Sequence, residues 1–219
     1  MYDLGTHQRN YHHDLYTVIP DVLPAQLCAV LADRARTLIK QGKIHLVNHA
    51  GTGTAVDLDR GGKYYHHMLL GEDVRTHMPE IVAVYHALLG QVAAITCGEA
   101  VISPHPDSDI NVVVYPPGGG TMGAHLDTNG ITVLLYLTTN TEGALVLEIP
   151  RSHPSQAEDR IEEKKIHAEA GNLFVMHGRK VWHVSEPTET EEKMVVVLNY
   201  YFKGDTWRPE TFDQFVYAG

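Results

Sequence analysis

The 219-residue sequence predicts an α+β chain whose strand portion closes into a double-stranded β-helix, or jelly roll, with N-terminal helices packed on its major sheet. Apolar residues recur at helical spacing up to Gly98; beyond it they come in about eight short runs dense in Val, Ile, Leu and Tyr, separated by Gly, Pro, Asn and Thr. The length suits one folding unit with a sizeable core, so residues 1–219 read as a single domain, helical over about 1–98 and a β core over about 99–204.

From Asp21, DVLPAQLCAVLADRARTLIK places Leu27, Val30, Leu31 and Leu38 on one stripe, with Pro24 in the first turn where its missing N–H costs little. Residues 47–67 are rich in Gly, Thr and Asp and read as a long irregular segment, a length that usually marks a functional loop. A second helix runs from about Pro79, with Ile81, Val84, Tyr85, Leu88, Val92 and Ile95 at helical spacing until Gly98. The expected strands are INVVVY (110–115), a strand carrying His125, ITVLLYL (131–137), ALVLEI (144–149), NLFVMH (172–177), VWHV (181–184) and KMVVVLNYYF (193–202). The charged stretch 157–165 reads as a solvated face or hairpin connection.

A formal net charge of −10 and the lack of a basic patch argue against binding to nucleic acid. The N-terminus lacks the basic start and apolar run of a secretory signal, and no apolar stretch reads as long enough to cross a bilayer, so a cytoplasmic protein with no membrane partner is expected. Cys28 and Cys97 fall in helix-like apolar segments and read as two buried free thiols.

The chemistry concentrates in an H-x-D…H set. Residues two apart on a strand point the same way, so His125 and Asp127 can approach one metal together, and His183 from a neighbouring strand completes a face. Two imidazoles and one carboxylate with open positions suit non-heme Fe(II) and leave room for oxygen and a chelating co-substrate, whose far carboxylate Lys193 can hold. His177 competes with His183 for the third place, but no basic residue stands at the matching offset from it.

The segments YPPGGGTMGAHLD, ITVLLYL, EGALVLEI and HVSEPTETEEKMVVVLNYYF resemble the catalytic core of the prolyl 4-hydroxylase-like branch of the Fe(II)/2-oxoglutarate oxygenases over roughly residues 110–202, and VIPDVLPAQLCAVL resembles its opening. The resemblance implies a jelly roll, Fe(II) bound by His125, Asp127 and His183, 2-oxoglutarate and O2 as co-substrates, and ascorbate as a candidate stimulant. It implies decarboxylation of 2-oxoglutarate to succinate and CO2, coupled to hydroxylation of an unactivated C–H. Lys193 matches the basic residue that pairs with the C5 carboxylate of 2-oxoglutarate, Tyr136 the tyrosine bonded to the same carboxylate, and Tyr115 a tyrosine lining that pocket; Thr132 shares the Tyr136 strand face. A lysine and hydroxyls give a buried carboxylate the charge partner and donors it requires. Asp127 stands where halogenating relatives carry a small residue, which favours hydroxylation, with desaturation or cyclisation open to the same oxidant.

On the last strand Lys193, Val195, Val197, Asn199 and Tyr201 share one face, and Asn199 stands where prolyl hydroxylase-like enzymes often have a bulky aromatic, so this pocket departs from theirs. A small-molecule substrate is expected, an amino acid or related biosynthetic intermediate. Asn199 and Tyr201, together with a lid over Asp57–His67 offering Arg60, Lys63, Tyr64, Tyr65, His66 and His67, are the candidate substrate contacts. A non-catalytic cupin-like metal-binding protein is the alternative of another class, since GNLFVMHGRKVWH faintly resembles a second cupin motif; the missing ligand-like Glu after the H-x-D pair counts against it.

Overall fold

A computed structural model describes residues 3–51, 60–151 and 160–205. The chain runs α1 (Leu4–Asp14), β1 (Tyr16–Ile19), α2 (Ala25–Lys40), β2 (His45–Gly51), β3 (Gly62–Leu69), α3 (Gly71–His77), α4 (Pro79–Thr96), β4 (Ala100–Ile102), β5 (Ile110–Tyr115) and β6 (Gly120–His125). It continues through β7 (Ile131–Tyr136), β8 (Leu145–Arg151), β9 (Arg160–Ile166), β10 (Leu173–Met176), β11 (Trp182–Thr188) and β12 (Lys193–Phe202).

Every described pairing is antiparallel, in the order β1-β10-β7-β12-β5-β3-β6-β11-β8-β9, with β2 on β3 and β4 on β12. The curl of this sheet is the jelly roll: a larger sheet centred on β12 faces a smaller one built from β6, β11, β8 and β9, and β3 joins β6 through the single pair Tyr65 and Thr121. Strand alternation sorts the core into two layers. Ile131, Val133 and Leu135 of β7 and Met194, Val196 and Leu198 of β12 turn to the helices, meeting Leu31, Ile81, Tyr85 and Val92. Tyr115, Leu134, Tyr136 and Val195 turn inward to meet Leu145, Leu147 and Ile149 of β8.

The predicted strands are present, β5 and β12 with the expected bounds. Several expectations need correction. The segment 47–67 is not irregular where it is described: β2 and β3 form an antiparallel pair in which Val47 faces His66 and His49 faces Tyr64. Its alternation was hidden because His and Tyr serve as inward residues. The N-terminal part therefore supplies strands as well as helices, including β1 on the sheet edge. On α2 the buried stripe runs through Cys28, Leu31, Ala32, Ala35 and Leu38, whereas Val30 is exposed, and Pro24 is the N-cap residue. Cys97 is exposed in a left-handed cap after α4, where the helix ends before the thiol can turn inward. The helix α4 is long and apolar enough to cross a bilayer by length and composition, contrary to expectation; here Ile81, Tyr85, Leu88, Val92 and Ile95 are buried in the helix layer of the core. Residues 160–165 of the charged stretch lie on β9, a largely solvated strand at the sheet edge, and residues 157–159 fall outside the described part.

Candidate metal centre

His125 is the last residue of β6 and pairs directly with His183 of β11, so two imidazoles meet across one ladder with ring centroids 4.2 Å apart. Asp127 is not on the strand, as simple alternation required. It sits just beyond, held where its backbone N–H donates to the Gly178 carbonyl at 3.0 Å. Gly178 has to be glycine: a Cβ there would come within 2.9 Å of the Asp127 Cβ and 2.8 Å of the Thr132 hydroxyl. Ligand atoms of His125, Asp127 and His183 lie within 4.8 Å of one another, and Oδ1 of Asp127 is 3.6 Å from Nε2 of each histidine.

Hydrogen bonds aim each ligand. Nδ1 of His125 lies 2.7 Å from the Gly123 carbonyl and Nδ1 of His183 lies 3.0 Å from the Val181 carbonyl. A carbonyl only accepts, so both Nδ1 atoms carry the proton and both Nε2 lone pairs face the cluster. The Thr132 hydroxyl donates to Oδ2 of Asp127 at 2.5 Å and accepts from the Asn129 amide at 2.8 Å, leaving Oδ1 for a cation. Burial pushes the Asp127 carboxyl up, but His183, His125 and Thr132 together outweigh it and hold it at about 2. Burial, with His125 beside it, lowers His183 to about 4. At neutral pH Asp127 is thus a carboxylate and His183 a neutral imidazole, the ligating forms.

Next to this cluster lies a second polar site. The Lys193 side chain is buried, donating to the Gly143 carbonyl and, at 2.5 Å, to the Ser185 hydroxyl, with its ammonium 4.3 Å over the Tyr115 ring. Among the described residues it forms no salt bridge, and burial lowers it to about 7. Among the described residues the buried Tyr136 hydroxyl has no hydrogen-bond partner, and burial raises both Tyr115 and Tyr136. A buried ammonium lacking an anion and a buried hydroxyl lacking an acceptor fit a ligand that brings a carboxylate. The donor set beside them suits non-heme iron.

The structure brings together His125, Asp127, His183, Lys193, Tyr115 and Tyr136. Thr132 is reassigned: its hydroxyl serves Asp127 instead of a co-substrate carboxylate. Of the lid residues, Tyr64 and His66 share the inward face of β3, with the Tyr64 ring 6.3 Å from His125 and His66 5.8 Å from Tyr115. Tyr65 is corrected to the opposite face, under the Lys63 ammonium, and His67, two residues on, shares that face. Arg60 is also corrected: it pairs with Glu148 at 2.6 Å and stacks on Trp182 at 3.9 Å, on the outer face of the smaller sheet. Asp57 to Asp59 lie outside the described residues. Asn199 is beside Thr132 across the β12/β7 ladder, its amide donating to the Ser108 carbonyl at 2.7 Å. Tyr201 is 1% exposed, a buried wall residue and not an open substrate contact. His177 lies apart from the cluster, its ring against Tyr11 and Phe202. Ser185 was missed in the sequence, although its place two residues after His183 on one strand was signal enough.

No protein-family model matches the chain, and no curated protein sequence matches it. Solved structures do. A prolyl-4-hydroxylase from Pseudomonas putida is 18% identical with a TM-score of 0.62, covering 91% of this chain and 98% of that one. The non-heme alpha-ketoglutarate-dependent carbocyclase SnoK of nogalamycin biosynthesis is 15% identical with a TM-score of 0.71, covering 98% of this chain and 90% of that one. The epimerase SnoN, solved with Fe3+, alpha-ketoglutarate and nogalamycin RO, is 13% identical with a TM-score of 0.68, covering 94% and 86%. In fold, the chain stands with the iron- and 2-oxoglutarate-dependent oxygenases, prolyl-4-hydroxylase among them.

Proposed function

We propose that this chain is an Fe(II)- and 2-oxoglutarate-dependent oxygenase that hydroxylates an unactivated C–H bond of a small molecule, an amino acid or a related biosynthetic intermediate. One relationship carries the reading. His183 and Ser185 sit two residues apart on β11, both opposite inward leucines of β8, and Ser185 is bonded to Lys193. Two strand residues span roughly 7 Å. A five-carbon keto diacid chelating a metal at His183 with one end is thereby offered the ammonium at Lys193 with the other.

In this reading His125, Asp127 and His183 hold the iron, and Lys193, with Tyr136 and Tyr115 beside it, orients 2-oxoglutarate. When bound, iron and 2-oxoglutarate supply an oxygen-derived oxidant through decarboxylation to succinate and CO2. The protein's part is to position the ligands and exclude water, through Leu134, Leu147, Val181 and Val195 packed between the sheets. No general acid or base is required. The small-molecule reading is supported by the polar Asn199 near Thr132 and by the higher TM-scores to two nogalamycin enzymes than to the prolyl-4-hydroxylase. Those relatives make carbocyclisation or epimerisation by the same site the second reading.

The test is succinate formation from 2-oxoglutarate by the iron-loaded protein under labelled oxygen gas, across a panel of amino acids and metabolites. A substrate-stimulated rate with one labelled oxygen in the product is expected. A product that is cyclised or epimerised without gaining oxygen selects the second reading, and absence of iron-dependent 2-oxoglutarate binding overturns both.

A further inference from the structure

Behind Lys193 two loops grip each other through a reciprocal pair of glutamates. Glu142, in the β7–β8 loop, accepts from the backbone N–H groups of Glu189 at 2.7 Å, Thr190 at 2.8 Å and Glu191 at 3.3 Å, and from the Thr190 hydroxyl at 2.6 Å. Glu191, in the β11–β12 loop, answers by accepting from the backbone N–H groups of Thr141 at 2.7 Å and Glu142 at 3.2 Å, from the Thr141 hydroxyl at 2.9 Å and from the Asn140 amide at 3.2 Å. Each carboxylate thus caps the loop that carries the other.

The strap ends at the ammonium. Gly143 follows Glu142, adopts a left-handed φ of 64°, and presents its carbonyl to Lys193, which lies two residues after Glu191. A Cβ at Gly143 would meet the Thr188 methyl at 2.4 Å, so the loop approaches as closely as the backbone allows. A third loop is drawn in: Gly118 and Gly119 donate to the Glu189 and Thr188 carbonyls, and the Thr188 hydroxyl donates to the Pro116 carbonyl at 2.8 Å, just after Tyr115. The Thr190 hydroxyl first, then the backbone donors, hold the Glu142 carboxyl at about 2, so it remains an acceptor across the working pH range.

We infer that Glu142 and Glu191 are positioning residues for the distal-carboxylate end of the co-substrate pocket: they fix the Gly143 carbonyl against Lys193, so the ammonium meets an incoming C5 carboxylate already aimed. This rests on the oxygenase reading above. It assigns the two glutamates a role in selecting a dicarboxylic keto acid over a monocarboxylic one, without contact to either.

The test uses the full-length protein loaded anaerobically with Fe(II), and calorimetric titration with 2-oxoglutarate and with 2-oxopentanoate, which shares the keto-acid end and lacks the distal carboxylate. Glu142→Ala and Glu191→Ala should each weaken 2-oxoglutarate about tenfold, the scale of losing a hydrogen bond to a charged group, with 2-oxopentanoate affinity and iron binding unchanged. Glu142→Gln, which keeps an acceptor oxygen, should recover most of the loss. Thr190→Val, removing one donor from the strap, provides a milder version should the alanine variants fail to fold. Parallel loss for both keto acids, or unchanged 2-oxoglutarate affinity in a folded variant, overturns the inference. Failure of the unaltered protein to bind 2-oxoglutarate instead overturns the oxygenase reading beneath it.

Discussion

The Thr132 hydroxyl bonds Oδ2 of Asp127 at 2.5 Å, while Oδ1 of the same carboxylate stands 3.6 Å from Nε2 of both His125 and His183. One oxygen is tied to the sheet and the other is presented to a cation. Thr132→Val keeps the shape and removes the tether, so the carboxylate can rotate or chelate through both oxygens. Iron affinity should fall roughly 10–100-fold, the usual cost of losing a residue that supports a ligand, as measured by competition with a chelating dye. Unchanged affinity would mean that Asp127 is fixed by the Gly178 contact alone.

His183→Ala should cost more than the roughly 10–100-fold expected for a supporting residue, because it removes a ligand outright. His177→Ala should leave iron binding intact, since its ring packs on Tyr11 and Phe202, and should lower stability by on the order of 1–3 kcal/mol. Metal content and thermal melting of the two variants separate the roles. The reverse pattern would exchange their assignments.

Lys193 gives a pH signature. Burial lowers it from 10.5 to about 7, so between those values the unfolded chain binds a proton that the apo fold does not, and the stability of the unliganded protein should rise with pH across that window. A carboxylate docking on the ammonium reverses this, and 2-oxoglutarate should bind with proton uptake above about pH 7. Calorimetry in buffers of different ionisation enthalpy reads the proton directly. Lys193→Met should abolish the uptake and weaken 2-oxoglutarate by roughly 3–5 kcal/mol, the cost of leaving one partner of a buried ion pair alone. It should also stabilise the unliganded fold. Proton uptake that survives in Lys193→Met would assign the titration to another group.

Asp127 bears on the product. If the three clustered side chains hold iron as proposed, the Asp127 carboxylate would take the place a halide would need, so product formation by the unaltered protein should be indifferent to chloride. Asp127→Gly should lose hydroxylation, because the surrounding residues were not arranged to hold a halide or steer its transfer. Mass spectrometry of reactions with and without chloride decides, and a chlorinated product from the unaltered protein would refute the hydroxylase assignment.

The parts legible in the sequence were those written in local alternation. INVVVY and KMVVVLNYYF are β5 and β12 to the residue, because valine-rich runs between turn formers have one pleated solution, and that alternation also set Lys193, Asn199 and Tyr201 on the inward face. The H-x-D pair and His183 were legible as chemistry, and they do converge. Tertiary structure alone decided the rest. Whether the described parts of 47–67 were loop or sheet depended on β3 finding β5 and β6 as neighbours, and the same pairing turned Tyr64 and His66 inward and Tyr65 outward. The Arg60 guanidinium was claimed by Glu148 and Trp182, 88 and 122 positions away, and the Thr132 hydroxyl by a carboxylate just off its own strand. Such assignments cannot be read locally. A donor takes the acceptor that folding brings within about 3 Å, and that distance is set by which strands lie side by side, not by the residue types along any one of them.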